Sequence, residues 1–305
     1  MVHFTLRQLQ IFEAVARLKS FSKASRELHL TQPAISMQMR QLESLIGIPL
    51  IERLGKQIFI TQAGNTLFHH AQVISHQLRQ VQNDLNSLRE DVMGCLDIAI
   101  ISTAKYFIPS LLTRFCERYP QVKLKLSVSN REGILEQLKQ NKVDLVIMGQ
   151  PPTGNSALSI PFALNRLIIV ASPQHPLASK KQLSLAEVVS YPFLLREPGS
   201  GTRQYLERMV REQELTLDMR MEIASNETIK QAVLGGMGLA FLSENTVKLE
   251  LQTGHLVSLS VEGLPIDRQW HLVHHRDKNL STVAQTFKDF LLGQALHLGL
   301  NPSSS

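Results

Sequence analysis

TQPAISMQMRQLESLIG, Thr31 to Gly47, decides the fold of the N-terminal region. Thr31 can cap a helix, and Pro33 falls in the first turn, where a missing amide hydrogen costs nothing. Ala34, Ile35, Met39, Leu42 and Leu45 recur at helical spacing and predict a buried stripe. Gly47 ends the helix. Upstream, Leu6, Leu9, Phe12, Val15, Ala16 and Leu18 predict another helix. Ser22 then reads as the cap of a short helix from Lys23 to Leu28. Two helices joined by His29-Leu30-Thr31 make a helix-turn-helix.

The exposed start of the third helix carries Gln32, Ser36, Met37 and Arg40. Polar side chains near a helix N-terminus suit a DNA major groove, because that end approaches the base edges. Leu50-Ile51 and Ile58-Phe59-Ile60 predict two strands around Gly55, with Arg53 and Lys56 at the tip. Such a wing offers cations to phosphates or the minor groove. Residues 1–62 hold eight lysines and arginines against four glutamates, most of the net +6 of the 305-residue chain. That bias points to a polyanion, although a small helical domain with a hairpin and no nucleic acid would share the pattern.

The remaining bulk properties bound the class. A chain of this length predicts two or three domains. Its hydrophobic fraction of 43% and charged fraction of 19% are those of a globular protein. No apolar run reaches the roughly 18 residues that span a bilayer. The first 18 residues read as an amphipathic helix and not as a signal peptide, so a cytoplasmic protein is expected. Cys95 and Cys116 sit in apolar sequence and are expected as buried thiols.

From Thr61 the apolar positions Leu67, Ala71, Ile74, Leu78, Val81, Leu85 and Leu88 step alternately by four and three. This heptad seam predicts a helix that pairs along its length, a dimerisation helix over 63–91. His69, His70 and His76 lack carboxylate or cysteine partners at ligand spacing, so surface histidines are expected and no metal.

Beyond Gly94, strand-like and helix-like segments alternate, which predicts parallel strands with helical crossovers. The order divides residues 92–305 into two α/β lobes, 92–162 with 269–296 and 163–268. The crossovers near 162 and 268 are expected to form a hinge. Ligands of such sheets sit at the carboxyl ends of strands. Four such ends are candidates: Ser102-Thr103-Ala104-Lys105, Gly149-Gln150-Pro151, Gly199 to Arg203 with Gly201 and Thr202, and Ser225-Asn226-Glu227. Helix starts with hydroxyls and free amides bind anions, and each is equally readable as an ordinary cap. No Walker loop, nucleotide fingerprint or catalytic triad is evident, so no catalytic residue and no cofactor are expected. GGMGLA, Gly235 to Ala240, follows a helix and is read as its end, with close packing.

The residues from Leu6 to Gly64, above all TQPAISMQMRQLE with PLIER and ITQAG, resemble the DNA-binding domain of the LysR-type transcriptional regulators. The resemblance continues through the linker helix to the end of the chain. It implies a winged helix-turn-helix, a long linker helix and a two-lobed effector domain built like a periplasmic binding protein. It also implies a homodimer, commonly a homotetramer, on double-stranded promoter DNA, with RNA polymerase as a further candidate partner. By this resemblance the DNA roles fall on Gln32, Pro33, Ser36 and Arg53, and less directly on Met37 and Arg40. Many members carry Arg or Lys where this chain has Met37, which cannot donate to guanine. Ser22, Thr31 and Lys56 complete the candidate DNA-binding set.

ISTAKYFIPSLLTRF and REPGSGTR are similar to the CbbR subgroup, regulators of RuBisCO and Calvin-cycle operons. That implies a signal such as a sugar phosphate, phosphoglycolate, phosphoenolpyruvate or NADPH. The function expected is a DNA-binding regulator of CO2-fixation genes modulated by a small anionic metabolite. A LysR-type regulator of another operon with a carboxylate effector, and a solute-binding protein, remain as alternatives. Ser102, Thr103, Lys105, Gln150, Gly201, Thr202, Arg203 and Asn226 are the expected effector contacts.

Overall fold

The structure is a computed structural model that describes residues 4–54, 57–86 and 92–297. The chain divides into two compact units, Met1–Gln82 and Asn83–Ser305. In the first, α1 (Leu6–Leu18), α2 (Phe21–Glu27) and α3 (Gln32–Ile46) surround a common core. Thr5 and Gln8 form a reciprocal capping box at the start of α1. α2 starts two residues earlier than expected: Ser20, not Ser22, accepts from the Lys23 amide at 3.2 Å. The earlier start turns Phe21 and Ala24 inward together, and both are buried. α3 begins and ends where Thr31 and Gly47 predict. Ile35, Met39 and Leu42 form its buried stripe, whereas Leu45 is 47% exposed and Ile46 packs on the core in its place. The stripe drifts because 3.6 residues per turn carries position 46, not 45, back to the face of Ile35.

The wing pairs β1 (Ile51–Leu54) with β2 (Gln57–Ile60), antiparallel, Ile51 opposite Ile60. Glu43 joins α3 to it, accepting from the Leu50 amide at 2.8 Å and the Ile51 amide at 3.2 Å. Lys56 lies outside the described residues. The helix α4 (Gln62–Asn86) follows. Leu67 and Phe68 pack against the helix-turn-helix core, and Ala71 is buried. Farther along the seam, Ile74 is 37% and Val81 54% exposed, with Leu78 half-buried. The Leu85 side chain and Leu88 lie outside the described residues. His70 is exposed, but His76 is buried, so it is not a surface histidine.

The second unit starts with β3 (Gly94–Ile101), α5 (Ile108–Arg118), β4 (Val122–Ser129), α6 (Arg131–Lys139) and β5 (Leu145–Met148). These three strands are parallel, as the alternation predicts. The next strand, β6 (Ala157–Ala171), is 15 residues long and runs through both lobes. The second lobe adds α7 (Leu185–Val189), β7 (Phe193–Arg196), α8 (Gly201–Glu212), β8 (Met219–Ile223), α9 (Asn226–Leu234) and β9 (Ala240–Ser243). It also holds α10 (Glu244–Gln252), absent from the sequence reading, and β10 (Val257–Ser258); β11 (Ile266–His275) then returns along β6, and α11 (Thr282–His297) packs in the first lobe.

Strands run β10-β6-β11-β5-β3-β4, with β9 also beside β6. β6 and β11 pair antiparallel from Ala157–His275 to Leu167–Ile266. The expected hinge positions near 162 and 268 therefore lie inside continuous strands and not in loops. The ladder's one irregularity falls between Trp270 and His271. The sheet is mixed because the chain crosses between lobes in an antiparallel pair.

One core packs Ile98, Phe115, Trp270 and Phe287 in the first lobe, and another packs Phe193, Leu206 and Phe241 in the second. Each fully buried side chain of this size contributes about 1.5–3 kcal/mol. Gly238 has the close approach read from GGMGLA: a Cβ there would lie 2.5 Å from the Pro192 carbonyl oxygen. Cys95 and Cys116 are half-buried, less covered than expected. Among the described residues no helix is long and apolar enough to cross a membrane.

Candidate functional site

On the outward side of α3, Gln32, Pro33, Met37 and Arg40 are exposed and Ser36 is half-buried. Ser22, released from capping, donates to Gln32 Oε1 at 3.1 Å and so orients its amide. Thr31 accepts from the Ala34 amide at 3.4 Å, which leaves it a capping role. Glu43, the only acid on α3, is occupied by the wing amides, so the outward face bears no carboxylate.

Between the two lobes lies a cleft of about 570 Å³, its open mouth included. The carboxyl ends of strands build it, as expected for an open sheet. The end of β3 supplies Ser102 and Thr103, the end of β5 supplies Gly149 and Gln150, and the start of α8 supplies Ser200, Gly201 and Thr202. Asn130 and Arg131 enter from the start of α6, and Arg196, Tyr205 and Arg268 from the second lobe and β11. Gly199, at φ +85°, lets the β7–α8 turn lie against α6: a Cβ there would sit 2.6 Å from Glu132 Oε2. The Glu132 amide donates to the Gly199 carbonyl at 3.4 Å.

The cleft has a cationic lining. Arg131 and Arg268 line it without a described carboxylate partner, Arg196 lines it paired with Glu197, and no carboxylate lines it among the described residues. Arg196 is 4% exposed and ties the lobes together. It pairs with Glu197 at 2.8 Å, donates to Ser102 Oγ at 3.1 Å and donates to Asn226 Oδ1. Arg131 donates from Nε to the Gln150 carbonyl at 3.3 Å, and no described carboxylate pairs with it. Burial lowers its pKa from the usual arginine value, a sign of a charge held partly out of water. The Arg268 guanidinium lies over the Tyr205 ring at 5.1 Å. Ser200, at the start of α8, is 3% exposed and makes no capping bond with its hydroxyl. The first amides of α8 are thus open to an anion.

Ser102, Thr103, Gln150, Gly201 and Thr202 line the cleft as read from sequence. Three expected contacts do not. Lys105 lies 3.7 Å from Glu227 Oε1, drawn away by that carboxylate. Arg203 is neutralised by Glu207 at 2.6 Å and by Glu222, and it braces the Arg196 carbonyl at 2.9 Å. Asn226 sits beneath the cleft as a support for Arg196. Sequence reasoning missed Arg131, Arg268, Asn130 and Tyr205 as lining residues, and it singled out neither Arg196 nor Ser200 within the candidate stretch. Arg196 and Ser200 were visible in REPGSGTR, but Arg131 and Arg268 carry no local motif and meet only through the topology.

A second link between the lobes lies beside Lys105. The Tyr106 hydroxyl donates to Glu227, which also pairs with Lys230 at 3.0 Å; Lys230 reaches Glu250 at 2.8 Å. Burial first, and the Glu227 carboxylate second, push the Tyr106 hydroxyl well above its usual pKa. Among the described residues no group of three histidines, cysteines or acids could hold a metal ion.

Residues 6–65 match the bacterial regulatory helix-turn-helix protein, lysR family, and residues 89–296 match the LysR substrate binding domain. The chain is 46% identical over 297 residues to the RuBisCO operon transcriptional regulator of Allochromatium vinosum, covering 97% of this chain and 98% of that one. It is similar in structure to the Synechocystis PCC6803 CcmR regulatory domain, solved in complex with 2-PG. The TM-score is 0.64 and the identity 37%, over 66% of this chain and 97% of that one. Full-length CbnR, solved with its target DNA, shares the whole architecture at a TM-score of 0.72 and 18% identity, covering 96% of this chain and 100% of that one.

Proposed function

The chain belongs to the LysR family of DNA-binding transcriptional regulators, and from that premise we propose that it controls RuBisCO-operon genes in response to a small phosphorylated carboxylate. The observation that carries the ligand class is the cleft lined by Arg131, Arg196 and Arg268 and by no described carboxylate. A phosphate accepts charge-assisted hydrogen bonds from guanidinium groups and from helix-start amides and hydroxyls. Ser200, Gly201 and Thr202 on one lobe and Ser102 and Thr103 on the other supply such donors on facing walls. The Synechocystis domain solved with 2-PG supports the same class, and phosphoglycolate is the first ligand to try. The relation to the Allochromatium RuBisCO operon regulator supports the choice of target genes.

A ligand that bridges both walls favours one lobe arrangement over another and so biases the bound DNA geometry. In this reading Ser22, Thr31, Gln32, Pro33, Ser36, Met37, Arg40, Arg53 and Lys56 serve the DNA surface. The α4 seam, with Ile74 and Val81 exposed, joins two copies into a homodimer. Two dimers assemble as a homotetramer, with RNA polymerase as a downstream partner.

A thermal-shift screen with phosphoglycolate, phosphoenolpyruvate, sugar phosphates, simple carboxylates and NADPH tests the reading. Ligand at 100 times Kd adds about 2.7 kcal/mol to stability. A midpoint rise with the phosphorylated carboxylates, and a changed footprint on the RuBisCO promoter, are expected. A rise only with unphosphorylated acids, or none at all, refutes the ligand class.

A further inference from the structure

We infer that Met37 is a specificity-determining residue that reads a thymine by its 5-methyl group. The inference rests on the DNA-binding role of the helix-turn-helix and goes beyond it to one atom of one base. In α3 the buried residues Ile35, Met39 and Leu42 face the core. At about 100° per residue, Met37 points almost directly opposite them. Its neighbours on that outward face are Pro33, Arg40, Gln41 and Ser44, all exposed. The face carries one cation and no acid, so it can approach a polyanion without repulsion. Met37 stands near its centre and is 47% exposed.

A methionine there has no N–H or O–H to donate, and its thioether is a weak acceptor. It cannot make the paired hydrogen bonds by which arginine or lysine selects guanine. What the major groove offers an apolar side chain is the thymine methyl. Thioether side chains are flexible and polarisable, which lets Met37 follow a methyl group that a stiffer residue would miss. Around it, Ser22 orients the Gln32 amide, and Arg40 is steadied by donating from Nε to the Ser36 carbonyl at 3.4 Å. Apolar contact at the centre, flanked by hydrogen-bonding groups, gives a half-site in which one thymine is read by shape.

The test uses the full-length protein and duplexes that it selects from a random pool. Each thymine of the selected site is replaced in turn by deoxyuridine, which removes the methyl and nothing else. At one thymine per half-site the replacement is expected to weaken wild-type binding about fourfold, the effect of burying one methyl-sized group. Met37→Ala is expected to bind the thymine duplex less tightly and to be indifferent to deoxyuridine at that one position. Met37→Arg is expected to shift the preferred base there to guanine. Met37 is exposed, so both variants keep the core that folds the domain. If the protein selects a site but no thymine couples to Met37, the inference falls and the regulatory reading stands. If it selects no site at all, both fall.

Discussion

Replacing Arg131 by methionine isolates the anion-binding contribution of one cleft cation. The guanidinium is half-buried, faces the cleft and has no described carboxylate partner. Its Cδ lies 3.3 Å from where a Cβ on Gly201 would be, so the aliphatic stem packs against the start of α8. Methionine keeps most of that stem and loses the charge. Removing it leaves no buried acid behind, so the fold should keep its stability within about 0.5 kcal/mol. The bound anion, however, loses a charge-assisted hydrogen bond worth about 1.5–3 kcal/mol. Near 2 kcal/mol the Kd for phosphoglycolate rises about 30-fold.

Titration calorimetry measures that change at two salt concentrations. Between 0.1 and 1 M salt the screening length falls from about 10 to 3 Å. Wild-type affinity should drop with salt, and that of Arg131→Met should drop less. A Kd within threefold of wild type, with the same salt dependence, refutes the assignment of Arg131 to the ligand. Lys105→Ala serves as the contrast: its ammonium is taken by Glu227 outside the cleft, so phosphoglycolate affinity should stay within about twofold.

Other expectations follow from the same geometry. Gln32→Ala should weaken binding to the preferred operator by about 1–3 kcal/mol, and an unchanged ratio of specific to non-specific affinity in a binding titration counts against it. Leu78→Glu puts a charge into the α4 seam, and sedimentation should show the mass of a single chain; an unaltered mass removes α4 from the dimer contact. Gly238→Ala drives a methyl against the Pro192 carbonyl and should cost about 1–3 kcal/mol in a urea melt. A midpoint equal to wild type would show that the turn yields without strain.

The DNA-binding half was legible because its signals are local. Thr31, Pro33 and Gly47 mark both ends of α3 within one short stretch, and the core stripe follows from helical periodicity. Where two serines could cap, or where the helical stripe drifts, expectation and structure differ, as with Ser22 for Ser20 and Leu45 for Ile46. The cleft was half legible. Strand ends rich in Ser, Thr and Gly could be picked out one by one, and Ser102, Thr103, Gln150, Gly201 and Thr202 do line it. Charge was harder, because a cation's availability depends on partners distant in sequence. Arg203 looked available, but Glu222 arrives from a strand 19 residues away. Arg131 and Arg268 looked ordinary and are brought to one cavity only by the sheet order, in which β11 lies beside β5 and the strands that carry α6. α10 escaped because Val247, Leu249 and Leu251 alternate with polar residues at strand-like spacing.

The continuity of β6 and β11 has a mechanical consequence. Two lobes joined by loops can swing freely, like a door on pins. Here the two crossings are hydrogen-bonded to each other along their length, so they form one ribbon, and a relative lobe movement must flex both strands at once. A ribbon of this kind behaves as a leaf spring. It is stiff along the strands, compliant in twist, and weakest at the irregularity beside Trp270 and His271. A ligand pulling on the cleft walls would therefore produce torsion more readily than wide opening. A rotation of a few degrees would be amplified with distance from the ribbon, so a small anion need move the walls only slightly.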